Sequence, residues 1–300
     1  MNDFVKVVEV GPRDGLQNEP RLVQLTIKLD LIERLVASGL KVIEATSFVS
    51  PKWIPQLADA DELYPRLEKR DDVAYPVLVP NAKGLERALK VGARAIAVFT
   101  AASEAFNQRN INCSIDESID RFIPVLERAR EENLWVRGYV SCVLGCPYQQ
   151  QVDVSEVVRV SRRLHEIGCD EISLGDTIGV GTPHRARAML RAVAGEVPLQ
   201  RLAVHFHDSY GQAVANLLAC IEEGVRIVDS SVAGLGGCPY AKGASGNVAS
   251  EDVVYLLHGL GLQTGIDLER LAHTGQHISD LLDRRNQSRA GSAIVKAQSK

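Results

Sequence analysis

Hydrophobic and polar positions alternate between two rhythms along the whole chain. Short β-branched runs are followed by stretches with apolar residues at helical spacing. Val5 to Val10 is a strand-type run. Leu25, Leu29, Ile32 and Leu35 then recur at helical spacing, with Gly39 as a stop. Further strands are predicted at Val42–Ala45, Val73–Val79, Ala95–Phe99, Val136–Val143, Glu171–Leu174, Leu202–Phe206 and Ile227–Val232. Helical stretches lie between them, at Pro55–Lys69, Lys83–Val91, Ile115–Glu132, Ser155–Ile167, Pro183–Val193 and Gly211–Glu222. Ser114 or Asp116 caps the long helix that starts at Ile115. Eight strands alternating with helices predict parallel βα units and an α/β fold, a (β/α)8 TIM barrel spanning about residues 4–235. A doubly wound open sheet is the structural alternative. Additional C-terminal helices follow after Ser250 and after Asp267, and the small, polar tail from Arg289 to Lys300 reads as frayed. No linker or shift in composition divides the chain, so residues 1–300 read as a single domain.

Composition narrows the class. Charged residues make up 24% of the 300, hydrophobic ones 45%, and the net charge is −4. That balance suits a soluble globular protein and argues against broad nucleic-acid binding. No window approaches a membrane span, and the start of the chain reads directly into a strand without a basic or Arg-rich leader. Six scattered cysteines form no secreted disulfide framework, which points to a cytoplasmic protein with free thiols. Cys142 and Cys146 read as two reduced residues near a strand end rather than half of a zinc site.

In a barrel of this kind, chemistry collects at the C-terminal ends of the strands. Five polar or Gly-rich clusters fall there. They are Gly11 to Glu19, Glu44 with Thr46 to Pro51, Gly175 to Gly179, His205 to Gly211, and Gly234 to Asn247. His205 and His207 are two apart on a strand and share a face, so both imidazoles can reach one ion. Asp14 and Asn247 offer oxygen ligands nearby, a donor set suited to Mg²⁺ or Mn²⁺ rather than to a thiolate zinc site. Arg13, at the barrel mouth, is suited to holding an oxyanion or a carbonyl. Glu44 sits within an apolar run and needs a partner, for which Arg13 is a candidate. Asp176 could orient a ligand, act as a base, or make a structural hydrogen bond. The segment from Gly234 to Asn247 contains five glycines and Cys238, the features of a mobile lid with a reactive thiol. Lys242 is followed by Gly243, so no Walker P-loop is present, and there is no G-x-S-x-G elbow.

Four motifs together resemble the 3-hydroxy-3-methylglutaryl-CoA lyase family. They are Val10 to Gln17, Ile43 to Pro51, His205 to Asp208, and Gly234 to Asn247 with its Gly-Gly-Cys-Pro-Tyr-Ala core. The Arg-Asp pair and the His-x-His are shared with related synthases and aldolases, whereas the Cys238 loop points to the lyases. The resemblance implies cleavage of 3-hydroxy-3-methylglutaryl-CoA to acetyl-CoA and acetoacetate. It implies Asp14, His205, His207 and Asn247 as metal ligands and Arg13 as the carbonyl-polarising cation. It further implies Cys238 as the catalytic thiol, with Glu44 and Asp176 in support and Arg13 with Gln17 at the substrate. An acyl-CoA is the implied partner, and a homo-oligomer is compatible with it. Eukaryotic members carry a C-terminal cysteine linking subunits; no cysteine follows Cys238 here, which suggests a bacterial-type cytosolic form. The competing readings are a condensing synthase, a lyase for a larger 3-hydroxy-3-alkylglutaryl-CoA, and a metal-binding scaffold without chemistry.

Overall fold

A computed structural model describes residues 3–237 and 246–298. Nine parallel strand segments form one sheet. They are β1 (Lys6–Glu9), β2 (Val42–Ile43), β3 (Thr46–Ser47), β4 (Val77–Leu78), β5 (Ala95–Ala101), β6 (Trp135–Ser141), β7 (Glu171–Asp176), β8 (Leu202–Phe206) and β9 (Ile227–Ser230). Neighbours run β2-β1-β9-β8-β7-β6-β5-β4-β3. The ends of this series, β2 and β3, are two halves of one run. Along that run the Glu44 N–H donates to the Glu9 carbonyl on one side at 2.8 Å. On the other side Ile43 and Ala45 donate to Ala74 and Pro76, each at 3.0 Å. One interrupted strand therefore carries ladders on both edges, and the sheet closes into the expected eight-stave barrel.

The pleat sorts side chains between two faces. Ile43, Val98, Val136, Ile172, Leu174, Val204 and Val228 point outward into the main core beneath the helices. Inside the barrel the apolar filling is smaller, with Val8, Val10, Ala203 and Ile227 in one cluster and Leu78, Ala97 and Tyr139 in another. The helices that cover the barrel include α1 (Leu25–Ala37), α2 (Ala60–Arg66), α3 (Ala82–Lys90), α4 (Glu104–Ile111), α5 (Ile115–Glu131), α6 (Val154–Glu166), α7 (Pro183–Ala194) and α8 (Ala213–Glu222). At the start of α5 the Ser114 hydroxyl accepts from the Glu117 N–H at 3.1 Å, and the Glu117 carboxylate accepts from the Ser114 N–H at 2.8 Å. That reciprocal box settles the cap on Ser114.

Three expectations change. The stretch from Pro55 to Lys69 divides into a short 3-10 turn, Pro55–Leu57, and α2. The predicted strand from Val73 to Val79 shortens to β4, since Pro76 and Pro80 cannot donate to a ladder. The tail does not fray: after α9 (Ser250–Gly259) and α10 (Leu268–Leu281), Arg289–Gln298 forms α11. Asp252 of α9 accepts from the Ala290 N–H at 2.7 Å and from the Ser288 hydroxyl at 2.8 Å, pinning the start of that helix. No helix among the described residues is long and apolar enough to cross a membrane.

Candidate active site

The chain leaves β1 in a π-helical turn, Gly11–Gly15, with the Asp14 and Gly15 N–H groups both bonded to the Val10 carbonyl. A π turn carries one residue more per turn than an α turn, and such turns cluster at functional sites. Here it brings Arg13 and Asp14 to the barrel mouth. Gly15 is required by packing: a Cβ would come within 2.8 Å of Leu235 Cβ.

Arg13 is buried at 7% exposure. Its Nε donates to Glu44 Oε2 at 2.7 Å, its Nη2 lies 2.6 Å from the same oxygen, and its Nη1 donates to Asp14 Oδ1 at 2.8 Å. Burial works against the guanidinium charge, but Glu44 and then Asp14 outweigh it and raise its pKa further, so it stays cationic throughout. A guanidinium has about five N–H donors, so one on each Nη remains for a ligand. Glu44 is fully buried on the inner face, and burial pushes its carboxyl up despite the Arg13 charge. Its Oε1 has no hydrogen-bond partner among the described residues.

Asp14, His205 and His207 converge, offering ligand atoms that all lie within 4.8 Å of one another. Burial alone would raise the Asp14 carboxyl. The Arg13 charge, the two imidazoles and the Asn247 amide reverse this and hold it at about 2. Burial, with help from His205, pushes His207 down to about 4. An ionised carboxylate beside a neutral imidazole is the protonation state that a divalent cation needs. His207 Nδ1 is buried without a partner among the described residues, a further mark that these groups fit an ion.

Asn247 joins them through the chain end that follows the Gly-rich segment. Asp208 donates to the Gly246 carbonyl at 2.7 Å and Val248 to the Phe206 carbonyl at 3.1 Å, so residues 246–248 are laced to the end of β8. The Asn247 amide donates to Asp14 Oδ2 at 2.8 Å and to the Leu235 carbonyl at 3.2 Å, which leaves its own oxygen as a possible ligand. Gly246, at φ 81°, would place a Cβ 2.7 Å from the Gly236 carbonyl carbon, so the two ends of the segment meet at a neck only glycine allows. Cys238 lies outside the described residues.

The remaining expected residues are placed differently. Gln17 is half-buried just past the π turn. Asp176 does not join the cluster. By strand parity it faces outward with Leu174, and it accepts from Gly181 N–H at 2.7 Å and Val180 N–H at 3.3 Å. Its backbone carbonyl accepts from the His207 N–H at 3.3 Å, so it touches the site through the main chain.

The sequence reading missed several groups below the mouth. Tyr139 packs edge-on to His205 with ring centroids 6.2 Å apart, and Arg13 and Arg137 lie 5.5 and 5.0 Å from its ring centre. Asp229, on the inner face of β9, reaches His205 Nδ1 at 3.2 Å. The available signal was a charged or phenolic side chain at an inward position of an otherwise apolar strand.

Two buried carboxylates anchor the root of the Gly-rich segment. Glu9 accepts from Gly11 N–H, Val232 N–H and the Ser250 hydroxyl at 2.8, 2.9 and 2.6 Å. Glu251 accepts from Ala233 N–H at 2.9 Å, holding a left-handed residue at φ 55°. Burial pushes Glu9 up to about 7 and Glu251 up to about 8 from an ordinary 4.5. Between their unfolded and folded pKa values the native chain binds more protons than the unfolded one, so stability falls as pH rises through that window. The His207 contribution is constant above about pH 6.5. The melting temperature is therefore expected to drop between about pH 6.5 and pH 8.5, and Glu251→Gln to flatten that slope. An unchanged slope in Glu251→Gln would show that this carboxyl is not the titrating group.

Comparison with known proteins follows the same lines. The HMGL-like family model matches residues 4–278, and the chain belongs to that family of barrel lyases. It is 57% identical over 291 residues to the 3-hydroxy-3-isohexenylglutaryl-CoA/hydroxy-methylglutaryl-CoA lyase of Pseudomonas aeruginosa, covering 97% of each chain. The crystal structure of hydroxymethylglutaryl-CoA lyase from Pseudomonas aeruginosa matches with a TM-score of 0.97 at 56% identity over 99% of both chains. An HMG-CoA lyase from Acinetobacter baumannii, solved with coenzyme A and 3-methylmalate, matches with a TM-score of 0.93 at 35% identity over 97% of this chain and 95% of that one.

Proposed function

We propose that this protein is a divalent-metal-dependent carbon–carbon lyase that cleaves 3-hydroxy-3-methylglutaryl-CoA to acetyl-CoA and acetoacetate. The observation that carries the reading is the convergence of Asp14, His205 and His207 beside the Arg13 guanidinium, in a chain 57% identical to a 3-hydroxy-3-isohexenylglutaryl-CoA/hydroxy-methylglutaryl-CoA lyase. Asp14, His205, His207 and the Asn247 amide oxygen would hold Mg²⁺ or Mn²⁺. Such an ion, when bound, acidifies a coordinated tertiary hydroxyl and neutralises the neighbouring carboxylate.

The chain's own residues account for the rest. Loss of the hydroxyl proton to a base lets the C2–C3 bond break: the oxygen's electron pair closes the ketone of acetoacetate at C3, and the C2–C3 bonding pair moves onto the thioester oxygen as the enolate of acetyl-CoA. Arg13, fixed by Glu44 and Asp14, presents its remaining N–H donors to that developing charge. Because Glu44 and Asp14 hold it before substrate arrives, no reorganisation is needed during the reaction. Cys238 is the proposed donor that returns a proton to the carbanion, and Gln17 is a proposed substrate contact. Asp176 is proposed to act on the site indirectly, by holding the 177–181 turn against the backbone of His207. The wider reading is a cytoplasmic enzyme of leucine breakdown.

The test is direct. Purified protein given Mg²⁺ or Mn²⁺ and the methylglutaryl thioester should release acetoacetate, and EDTA should abolish release until the ion is restored. Full turnover in a verified metal-free sample would sink the metal role, and no acetoacetate under any ion would sink the assignment.

A further inference from the structure

Five ionisable side chains and a hydroxyl form an unbroken line along the inside of the barrel, from its lower end to the candidate metal ligands. Lys6 of β1 pairs with Glu171 of β7. Glu171 Oε1 lies 3.0 Å from Arg137 Nε of β6. Arg137 Nη2 donates to Asp229 Oδ1 at 2.5 Å, and the Ser173 hydroxyl donates to Asp229 Oδ2 at 2.8 Å. Asp229 Oδ2 then meets His205 Nδ1 at 3.2 Å. Strand register dictates the last step: His205 and Asp229 are direct partners across β8 and β9, so their side chains leave the sheet on the same face. Arg137 and Asp229 are each only 1% exposed.

Buried charges in such numbers are costly, and apolar residues of similar volume would make a cheaper barrel interior. We infer that Asp229, held by Arg137 and Ser173, is a positioning residue that fixes the tautomer and orientation of His205 so that its Nε2 lone pair faces Asp14 and His207. The argument is one of donors and acceptors. Asp229 already accepts from a guanidinium on one oxygen and a hydroxyl on the other, so it is an acceptor only. His205 Nδ1 must then carry the hydrogen, and in the neutral ring that a cation requires Nε2 is left bare. The ring is held on a second side by Tyr139, packed at 81° to it, whose hydroxyl takes a bond from Arg137 Nη1 at 3.3 Å. Arg137 thus holds both groups that hold His205. Carboxylates that accept from the far nitrogen of a ligating histidine commonly set metal affinity by about 10–100-fold.

This inference rests on the divalent site proposed above, and the experiment separates the two. Long-range ¹⁵N–¹H NMR on the metal-free full-length protein, with His205 assigned by its loss in His205→Asn, reads the tautomer directly. The expected form carries hydrogen on Nδ1. A neutral ring with hydrogen on Nε2 and a bare Nδ1 in the wild-type protein overturns the inference, whatever the variants do. Mn²⁺ titration followed by electron paramagnetic resonance supplies the second readout. Asp229→Asn is expected to weaken Mn²⁺ binding about 10–100-fold, with kcat recovering largely at saturating Mn²⁺. A merely structural role would instead lower the folded fraction and leave the Mn²⁺ affinity of the folded protein unchanged, and that result also overturns the inference. Should Asp229→Asn fail to fold, Ser173→Ala removes a single donor to the same carboxylate, and the wild-type tautomer still decides. His207→Ala serves as the control for the site itself. If it binds Mn²⁺ as well as the wild type does, the metal reading falls, whereas the Nδ1–H result continues to judge Asp229 on its own.

Discussion

Replacing Arg13 with methionine is expected to lower kcat about 10²–10³-fold, the cost of removing one preorganised donor to a developing oxyanion. KM should move far less, because the enolate charge exists only beyond the ground state. Methionine keeps much of the buried volume but leaves Glu44 without its counterion. Breaking a buried pair by removing one partner costs about 3–5 kcal/mol. Burial already pushes the Glu44 carboxyl up, so in the variant it can take a proton and remain folded rather than stay charged and alone. Arg13→Met/Glu44→Gln, in which Glu44 carries no stranded charge and Asp14 keeps the Asn247 amide, separates the two effects. It should regain stability without regaining turnover. Recovery of kcat in the double variant would show that the single change acted through misfolding. An unchanged kcat with only a raised KM would make Arg13 a binding residue.

Much of this was legible in the sequence because the relevant information is local. Strand and helix periods alternate plainly, and side-chain parity on a strand is fixed at two residues. His205 and His207 therefore had to share a face, and the Arg13–Glu44 pairing followed from finding a carboxylate in an apolar run. What stayed hidden was non-local. Arg137, Glu171 and Asp229 sit in three different strands whose outward residues are apolar, so each run reads as core. Their partners are set by barrel register, with Arg137 opposite Glu171 and His205 opposite Asp229. The frame of Asp176 turned on a single residue: parity places Gly175 inward and Asp176 outward, which no composition argument reveals. α4 and α11 escaped for a related reason. Their ends are fixed by Ser103 and by Asp252, and the second of these is distant in sequence. The closing of the barrel across Glu44 and Ala45 also depended on two ladders meeting on one interrupted strand.

Asp14→Asn is expected to be the most damaging conservative change at the mouth. The side chain keeps its size, but its single amide oxygen can accept from only one of Arg13 Nη1 and the Asn247 amide, which bond to the two different carboxylate oxygens at 2.8 Å each. What disappears is the negative charge, and the charge is what the surroundings are built around. Arg13, His205 and His207 hold the carboxyl at about 2 against the effect of burial, so it is ionised at neutral pH. The native state gains from that ionisation only above the unfolded value of 3.8, and loses it as pH falls toward 2. Asparagine should therefore remove some stability at neutral pH, and acid should separate the variant from the wild type less than neutral buffer does. The functional cost is larger. Mg²⁺ and Mn²⁺ are hard cations that take their affinity from carboxylate oxygens, and two neutral imidazoles with an amide are a poor replacement. Loss of a ligand should exceed the roughly 10–100-fold cost of losing a group behind one, so Mn²⁺ affinity is expected to fall more than about 10²-fold. Isothermal titration with Mn²⁺, beside acetoacetate release over a range of Mn²⁺ concentrations, measures both. Turnover should reappear only at high Mn²⁺, with KM for the thioester little changed once the ion is bound. Wild-type Mn²⁺ affinity in Asp14→Asn would remove this carboxylate from the ligand set and return it to a partner of Arg13 alone.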